Sequence, residues 1–466
     1  MDYKKRSVSG VKGLIRGLEG VLEVLLLTGL YYIIWSDAYN EGHMLSSFAG
    51  YGHLIIVAIY AVLTFVIFSA LDGLLFGYLK MSDMLLTQWL CMLIVNFVTY
   101  WQLCLINDMI LSPVPILKVM LADVALTIAC VFFYTWVYHK IYAPKKMVMV
   151  IGSHDSISLK FKMETRPDKY HIEKIINADE GFESICKQIS DYEAVIINDV
   201  PAEIRNQILK FCYRHQIRTY MTPKLSDIIV RGATDINLFD TPLLLVKGNG
   251  LTPMQRFFKR LLDLVICLPA VIIASPIMLI VAIAIKLEDG GPVFFRQERA
   301  TLGGDVFSIL KFRSMIVDAE KEGYAIPATD KDPRITKVGN IIRPCRIDEL
   351  PQLLNIIKGD MSIVGPRPER VEHMEKYSEE IPEFIFRTKV KGGLTGYAQI
   401  YGKYNTSAYD KLRLDLMYIE NYSFIQDLKL IFMTVRILFK KESTEGFAEK
   451  KPEESEKSEE PVAPGK

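Results

Sequence analysis

Long apolar runs alternate with short polar connectors over the first third of the chain. Four of them, residues 18–35, 54–70, 84–105 and 116–138, are each near the ~20 residues that a helix needs to cross a bilayer. Tyr31, Tyr32, Trp35, Trp101, Tyr134 and Trp136 sit toward the ends of these runs, where aromatic belts form. The pattern predicts a module of four transmembrane helices. Asp123 is read as the one charge inside it, placed near an interface, so no transport path is expected.

From residue 147 the period shortens. Buried strands are predicted at 147–153, 172–176, 194–197 and 217–221, with a closing strand at 243–246 and helices at 181–192 and 201–215. Strands alternating with helices predict a small, doubly wound, Rossmann-like sheet. The turn after its first strand has the single glycine Gly152, and neither a dinucleotide nor a P-loop glycine pattern occurs. The module therefore reads as structural or regulatory.

Residues 248–253 form a turn-rich linker, followed by a basic amphipathic stretch at 254–260 and an apolar run at 261–285 that holds Asp263. That run is long enough for a fifth span, but Pro269 and Ser275-Pro276 lie inside it, and proline removes a helical hydrogen bond. The region beyond carries Arg296, Arg299, Lys311, Arg313, Arg334, Lys337, Arg343 and Arg346, and a full crossing would leave these outside. A helix–break–helix hairpin that enters one leaflet and returns is expected instead, with Asp263 near the interface beside Arg256, Lys259 or Arg260.

Further on, 307–312 reads as a strand. Leu350, Leu353, Leu354 and Ile357 read as the inner face of a helix that Gly359 ends, with Pro351 in its first turn. A later helix carries Tyr409, Leu412, Leu416 and Ile419 on one face. Asp415 lies off that stripe, in reach of Lys411. Residues 427–439 suit a helix lying at an interface, and the Lys/Glu/Ser/Pro-rich tail reads as disordered.

Composition sharpens this outline. Half of the 466 residues are hydrophobic, and the net charge of +1 gives no global attraction to nucleic acid. The seven cysteines include no Cys-x-x-Cys pair, so they read as reduced thiols with no disulfide framework or zinc site. Lys4, Lys5, Arg6, Lys12 and Arg16 precede the first span and His139, Lys140, Lys145 and Lys146 follow the fourth, which puts both ends of the module in the cytoplasm. No small-residue cleavage site follows the first run, so no cleavable signal peptide is expected.

The candidate chemistry centres on the adjacent carboxylates Asp348 and Glu349, at the expected helix N-terminus, with Arg343 and Arg346 just upstream. A helix N-terminus favours anions. Two readings stand: Asp348 as an ordinary helix cap, or the pair as a site for phosphoryl chemistry with a metal ion. Arg367 is held between Pro366 and Pro368, and a stiffly presented guanidinium binds phosphate bidentately. Residues 389–403 are glycine-rich and can approach a ligand closely. His373 is the only histidine after the linker, which disfavours histidine-based catalysis.

Residues 254–440 resemble the bacterial sugar transferases that prime glycan assembly on polyprenyl phosphate, the monotopic phosphoglycosyl transferases. The resemblance rests on Ser275-Pro276, Arg296-Gln297-x-Arg299, Lys311-Phe312-Arg313-Ser314-Met315, Asp348-Glu349-Leu350-Pro351-Gln352, Val364-Gly365-Pro366-Arg367-Pro368 and Leu394-Thr395-Gly396-x-Ala398-Gln399, in that order. With the spans and the Rossmann-like module, the layout is similar to the long form of the family, the undecaprenyl-phosphate galactose and glucose phosphotransferases. Gly392 departs from the family, which has proline there, and a looser loop is expected.

The resemblance implies a ping-pong transfer of hexose-1-phosphate from a UDP-sugar to undecaprenyl phosphate, with galactose or glucose as the sugar. Asp348 would be the nucleophile, forming an aspartyl-phosphosugar and releasing UMP, and Glu349 would bind Mg²⁺ or assist proton transfer. Lys311, Arg313, Arg343 and Arg367 would neutralise phosphates, with Lys403 and Asp427 as further substrate-binding positions. This would be the first membrane step of exopolysaccharide, capsule or O-antigen synthesis, at the cytoplasmic face of a bacterial inner membrane, in a possible homodimer. The expected domains are 1–145 (four transmembrane helices), 146–247 (Rossmann-like), 248–440 (catalytic, re-entrant helix 257–286) and 441–466 (disordered tail).

Overall fold

The computed structural model describes residues 4–37, 52–141, 144–152, 157–236, 240–248, 250–317, 319, 332–403 and 406–438. The expected tail at 441–466 lies outside these residues. The chain divides into two compact units, Met1–Asp227 and Ile228–Lys466.

The first unit opens with α1 (Lys4–Trp35), α2 (Gly52–Ala70), α3 (Met81–Asn107) and α4 (Val114–Ile141). Each has a stretch long and apolar enough to cross a membrane. α1 packs on α2 and α4, and α3 packs on both as well. Their contacts include polar groups that the sequence reading misplaced. Asp123 is not on the outer surface of the bundle: it lies about a third of the way along α4, fully buried, and accepts from Asn96 Nδ2 at 2.8 Å. Nor is it the one buried charge. Glu23 is also fully buried and accepts from Gln88 Nε2 at 3.0 Å. An amide opposite each carboxylate supplies the partner that hydrocarbon would not.

The same unit continues with β1 (Lys145–Ile151), α5 (Ile157–Glu164), β2 (Tyr170–Asn177), α6 (Phe182–Ile189), β3 (Ala194–Asn198), α7 (Ala202–Arg214), β4 (Arg218–Met221) and α8 (Leu225–Arg231), the last crossing the division. The four strands form a parallel sheet in the order β2-β1-β3-β4. Both faces are covered. Val148, Val150, Val195 and Ile197 point to one core, while Met147, Met149, Ala194 and Ile196 point to the other. Period-two alternation between two buried faces reads in sequence as one apolar run, as parallel strands should.

The second unit holds β5 (Thr234–Ile236) and β6 (Leu243–Leu245), which pair with each other in a separate antiparallel ladder. The strand expected at 243–246 therefore does not close the parallel sheet. Next come α9 (Pro253–Asp289), β7 (Phe294–Ala300), β8 (Val306–Phe312), α10 (Lys337–Ile342), α11 (Gln352–Lys358), β9 (Ser362–Val364), α12 (Val371–Glu380), β10 (Gly393–Thr395), α13 (Tyr397–Tyr401), α14 (Ala408–Glu420) and α15 (Phe424–Leu438).

α9 also has the length and hydropathy of a span, and it begins in a capping box between Thr252 and Gln255. The expected break at Ser275-Pro276 is not an interruption: helical structure runs on through Pro269 and Pro276. Local chemistry explains the continuity. Pro276 has no N–H to give to the carbonyl of Ile272, and the Ser275 hydroxyl donates to that carbonyl instead, at 2.8 Å. Both ends of α9 dock on other elements of the second unit. Near its start, Arg260 donates to the Ile356 and Ile357 carbonyls, each at 2.6 Å, at the end of α11. Near its end, Val281 and Ile285 pack with Phe312 and Ile342, and Glu288 accepts from the first N–H groups of α10.

Asp263 feels Lys259 and Arg260 electrostatically, as expected, but takes its hydrogen bonds elsewhere. It is buried and accepts from the Ser362 hydroxyl and the Ile363 N–H, both at 2.9 Å.

Candidate active site

Three short elements build the site. β8 pairs antiparallel with β7, placing Lys311 opposite Phe295. Lys311 shares strand parity with the buried Phe307 and Ile309, so its side chain follows them to the covered side. The other edge of β8 is completed by a side chain, not a strand. Asn355 accepts from the Leu310 N–H and donates to the Ser308 carbonyl, both at 2.9 Å. This corrects the predicted face of α11, whose buried residues are Gln352, Asn355 and Ile356, while Leu354 is exposed.

The carboxylates sit in a 3₁₀ turn, Ile347–Glu349, just before α11. Arg346 precedes it in the left-handed region, at φ 53°, and so reverses the chain after α10. The cap reading of Asp348 is thereby corrected: α11 is capped at Pro351 and receives no side-chain cap bond. The turn stands between the carboxylates and the α11 amides, leaving Asp348 and Glu349 to face the basic residues.

The third element is the loop from Gly365 to Pro368. Gly365 N–H donates to the Thr395 carbonyl at 2.8 Å and Gly393 N–H to the Pro366 carbonyl at 2.8 Å. Backbone approaches so closely here that a Cβ on Gly393 would lie 2.1 Å from the Gly365 nitrogen. Gly392 is not loose. Its N–H donates to Thr301 Oγ1 at 3.1 Å, a bond that a proline could not make, and its Cα packs under the Pro368 ring.

These elements bring Lys311, Asp348, Glu349 and Arg367 together. Lys311 Nζ donates to Glu349 Oε1 at 2.9 Å, and Arg367 Nη2 donates to the same oxygen at 2.8 Å. Burial alone would raise the Glu349 carboxyl, but Arg367 and Lys311 outweigh it and hold it well below the ordinary carboxylate range. Asp348 behaves oppositely. Burial pushes it up to about 6, opposed by Lys311 and reinforced by the neighbouring Glu349 charge. Burial likewise pulls the Lys311 ammonium below its ordinary value, against the attraction of Glu349. Two adjacent carboxyls thus have divergent acidities.

The other predicted residues are placed differently. Arg343 caps the C-terminus of α10 and acts electrostatically on Asp348. Arg313 turns away and forms an ion pair with Asp289 at the end of α9. Lys403 is exposed, its N–H donating to Thr406 Oγ1. Asp427 is buried in an ion pair with Lys259 at 2.7 Å and accepts from the Tyr418 hydroxyl at 2.8 Å. No bond joins Lys403 or Asp427 to the Asp348–Glu349 cluster among the described residues.

Asp415 is not the surface partner of Lys411. It is buried and paired with Arg387 at 2.7 Å. Arg387 and Asn355 carried no signal that sequence reasoning could use, because each acts through contacts distant in the chain.

Residues 254–441 match the bacterial sugar transferase family. Among curated relatives, a UDP-N-acetylgalactosamine-undecaprenyl-phosphate N-acetylgalactosaminephosphotransferase of Aeromonas hydrophila is 36% identical over 53% of this chain and 60% of its own length. A UDP-glucose:undecaprenyl-phosphate glucose-1-phosphate transferase of Klebsiella pneumoniae is 38% identical over 52% of this chain and 51% of its own. One of the same description from Caulobacter vibrioides is 42% identical over 42% of this chain and 75% of its own. The chain spans about half the length of the first two. It belongs to the bacterial sugar transferase family.

Proposed function

We propose that the protein transfers hexose-1-phosphate from a UDP-sugar to undecaprenyl phosphate. The observation that carries this reading is the division between the two carboxyls. Glu349 is neutralised by Lys311 and Arg367, while Asp348, beside it, forms no ion pair of that kind among the described residues and keeps a lone pair for attack once ionised. The names of the relatives support the substrates: each is described as acting on a UDP-sugar and undecaprenyl phosphate.

In this reading an Asp348 oxygen attacks the β-phosphorus of the UDP-sugar. The bond from that phosphorus to the bridging oxygen breaks, and UMP leaves with the electron pair. A phosphate oxygen of the lipid then attacks the aspartyl-phosphosugar, forming the diphosphate and releasing Asp348. Lys311 and Arg367 stand where charge develops on the phosphoryl oxygens, and stabilisation of that kind is commonly the largest contribution to such reactions. The donor set suits Mg²⁺, which takes one or two carboxylates and completes its shell with phosphate and water. Asp348 and the second oxygen of Glu349 would hold it, since both protein bonds to Glu349 fall on Oε1. Bound there, Mg²⁺ would screen the diphosphate charge.

The membrane reading follows from α9. Its start docks on the end of α11 and its end on β8 and α10, and Ser275 with Pro276 lies between them. A helix bent there enters and leaves one leaflet, keeping Asp348 at the cytoplasmic interface of the inner membrane. α1 to α4 then form the spanning module.

The test is a panel of UDP-sugars assayed for UMP release with undecaprenyl phosphate. Release dependent on Asp348 is expected with at least one hexose or N-acetylhexosamine. Equal release by Asp348→Asn would overturn the assignment.

A further inference from the structure

The loop that carries Arg367 has an unusual hydrogen-bonding problem. Beyond the Gly365 N–H bond to Thr395, Pro366 and Pro368 have no N–H to offer, so the Pro366–Pro368 tip depends on its three carbonyls. All three carbonyls accept from outside it. Pro366 accepts from the Gly393 N–H at 2.8 Å. Arg367 accepts from Arg387 Nη2 at 3.0 Å. Pro368 accepts from Arg299 Nη1 at 3.1 Å.

The middle anchor is the most specialised. Arg387 is 3% exposed and lies on a 3₁₀ helix, Pro382–Lys389, away from the carboxylate turn. Its Nε and Nη2 both donate to Asp415 Oδ2, at 3.1 and 2.7 Å, and Asp415 is 1% exposed on α14. Its Nη1 lies 3.5 Å from Glu369 Oε1. The face of the guanidinium covers the Phe384 ring at 4.8 Å. Nε and Nη2 carry the hydrogen bonds, while Nη1 has only the longer Glu369 approach, and one Nη2 bond goes to the carbonyl of the residue whose side chain reaches Glu349. A buried ion pair is weak evidence of stability on its own, because apolar residues often fill such space as well. A buried pair aimed at one loop carbonyl has a different use.

We infer that Arg387 is a positioning residue, fixed by Asp415, that sets the backbone of Arg367 so that its guanidinium meets Glu349 and the substrate phosphates. Arg299 does the same one residue later. Among the described residues neither Arg387 nor Asp415 makes a bond to Asp348 or Glu349, so the effect passes through the loop. This rests on the proposed transferase reading, in which Arg367 works on phosphate. Releasing the carbonyl would let Arg367 drift, and a misplacement of about 1 Å can cost on the order of a hundredfold in rate.

A double-mutant cycle separates positioning from plain structural support. UMP release is measured with the full chain in lipid nanodiscs for the wild type, Arg387→Met, Arg367→Lys and the double variant. Arg387→Met should lower kcat by about tenfold or more in the wild-type background, yet by less than about threefold once Arg367 is already lysine. Losses that multiply in the double variant would overturn the inference. Unfolding midpoints are recorded alongside. Should Arg387→Met fail to fold, the paired Arg387→Met/Asp415→Leu variant takes its place in the cycle, since it removes both buried charges together. Wild-type activity in the paired variant would also overturn the inference. UMP release by the wild type and its loss in Asp348→Asn test the transferase reading separately, so the two failures are distinguishable.

Discussion

Lys311 donates its 2.9 Å hydrogen bond to Glu349 and not to Asp348, the residue immediately before it. That choice leaves one carboxyl as a fixed anion and the other as a group that titrates near neutrality. The proposed attack needs the Asp348 anion, so kcat/KM for the UDP-sugar should rise with pH through about 6 and level off above it. Glu349→Gln removes a neighbouring negative charge that raises Asp348 and frees two cations beside it. Its acid limb should shift to lower pH while kcat falls. A limb that stays in place would show that Asp348 is not the titrating group.

Activity and stability should move in opposite directions at Asp348. Its folded pKa of about 6 lies above the ordinary 3.8, so at pH 8 the folded state holds a charge that burial disfavours. Asp348→Asn removes that charge. It should abolish UMP release and raise stability at pH 8 by about 1–3 kcal/mol. The gain should vanish below about pH 4, where the wild-type carboxyl is protonated in both states. Denaturation midpoints at the two pH values check the sign.

Lys259 and Asp427 hold the start of α9 against α14 and α15, with Tyr418 as third member. Both charges are buried. Lys259→Met leaves Asp427 without its cation and should cost about 3–5 kcal/mol. Lys259→Met combined with Asp427→Leu should recover most of that loss. If Asp427→Asn instead lowers activity at unchanged stability, Asp427 is a substrate ligand, as the sequence reading had it, rather than an anchor.

The Ser275 bond to the Ile272 carbonyl makes a proline tolerable inside a long apolar helix. Replacing both residues, Ser275→Leu with Pro276→Leu, restores the lost N–H and removes the competing hydroxyl. The helix should straighten and cross the bilayer. A reporter fused after Gly290 should be cytoplasmic in the wild type and shift outward in the double variant. Export from the wild type would rule out the re-entrant reading.

The parallel strands were legible because each is an apolar run bounded by turns, and the long helices because hydropathy declares them. Boundaries in the first unit held to within a few residues at β1, β3 and β4. What escaped were relations that no local pattern encodes. Asn355 looks like a polar interruption in a helix, yet it completes the edge of β8. Asp415 has an i−4 lysine in sequence and a buried arginine in space. Glu23 sits in a span whose apolar neighbours masked it, and its amide partner lies 65 residues away. At the site, the carboxylate pair and the proline-flanked arginine were readable, as was Lys311. The turning away of Arg313 toward Asp289 was not, because β8 ends before it and the end of α9 supplies a competing carboxylate.

The central claim is a covalent phosphosugar on Asp348. It is tested most directly by incubating the protein with labelled UDP-sugar and no lipid acceptor, then mapping the label after acid quenching and proteolysis. The account predicts a stoichiometric burst of UMP, sugar-phosphate mass on the peptide that contains Asp348, and neither in Asp348→Asn. Product formation that requires both substrates at once, with no burst and no modified peptide, would contradict it.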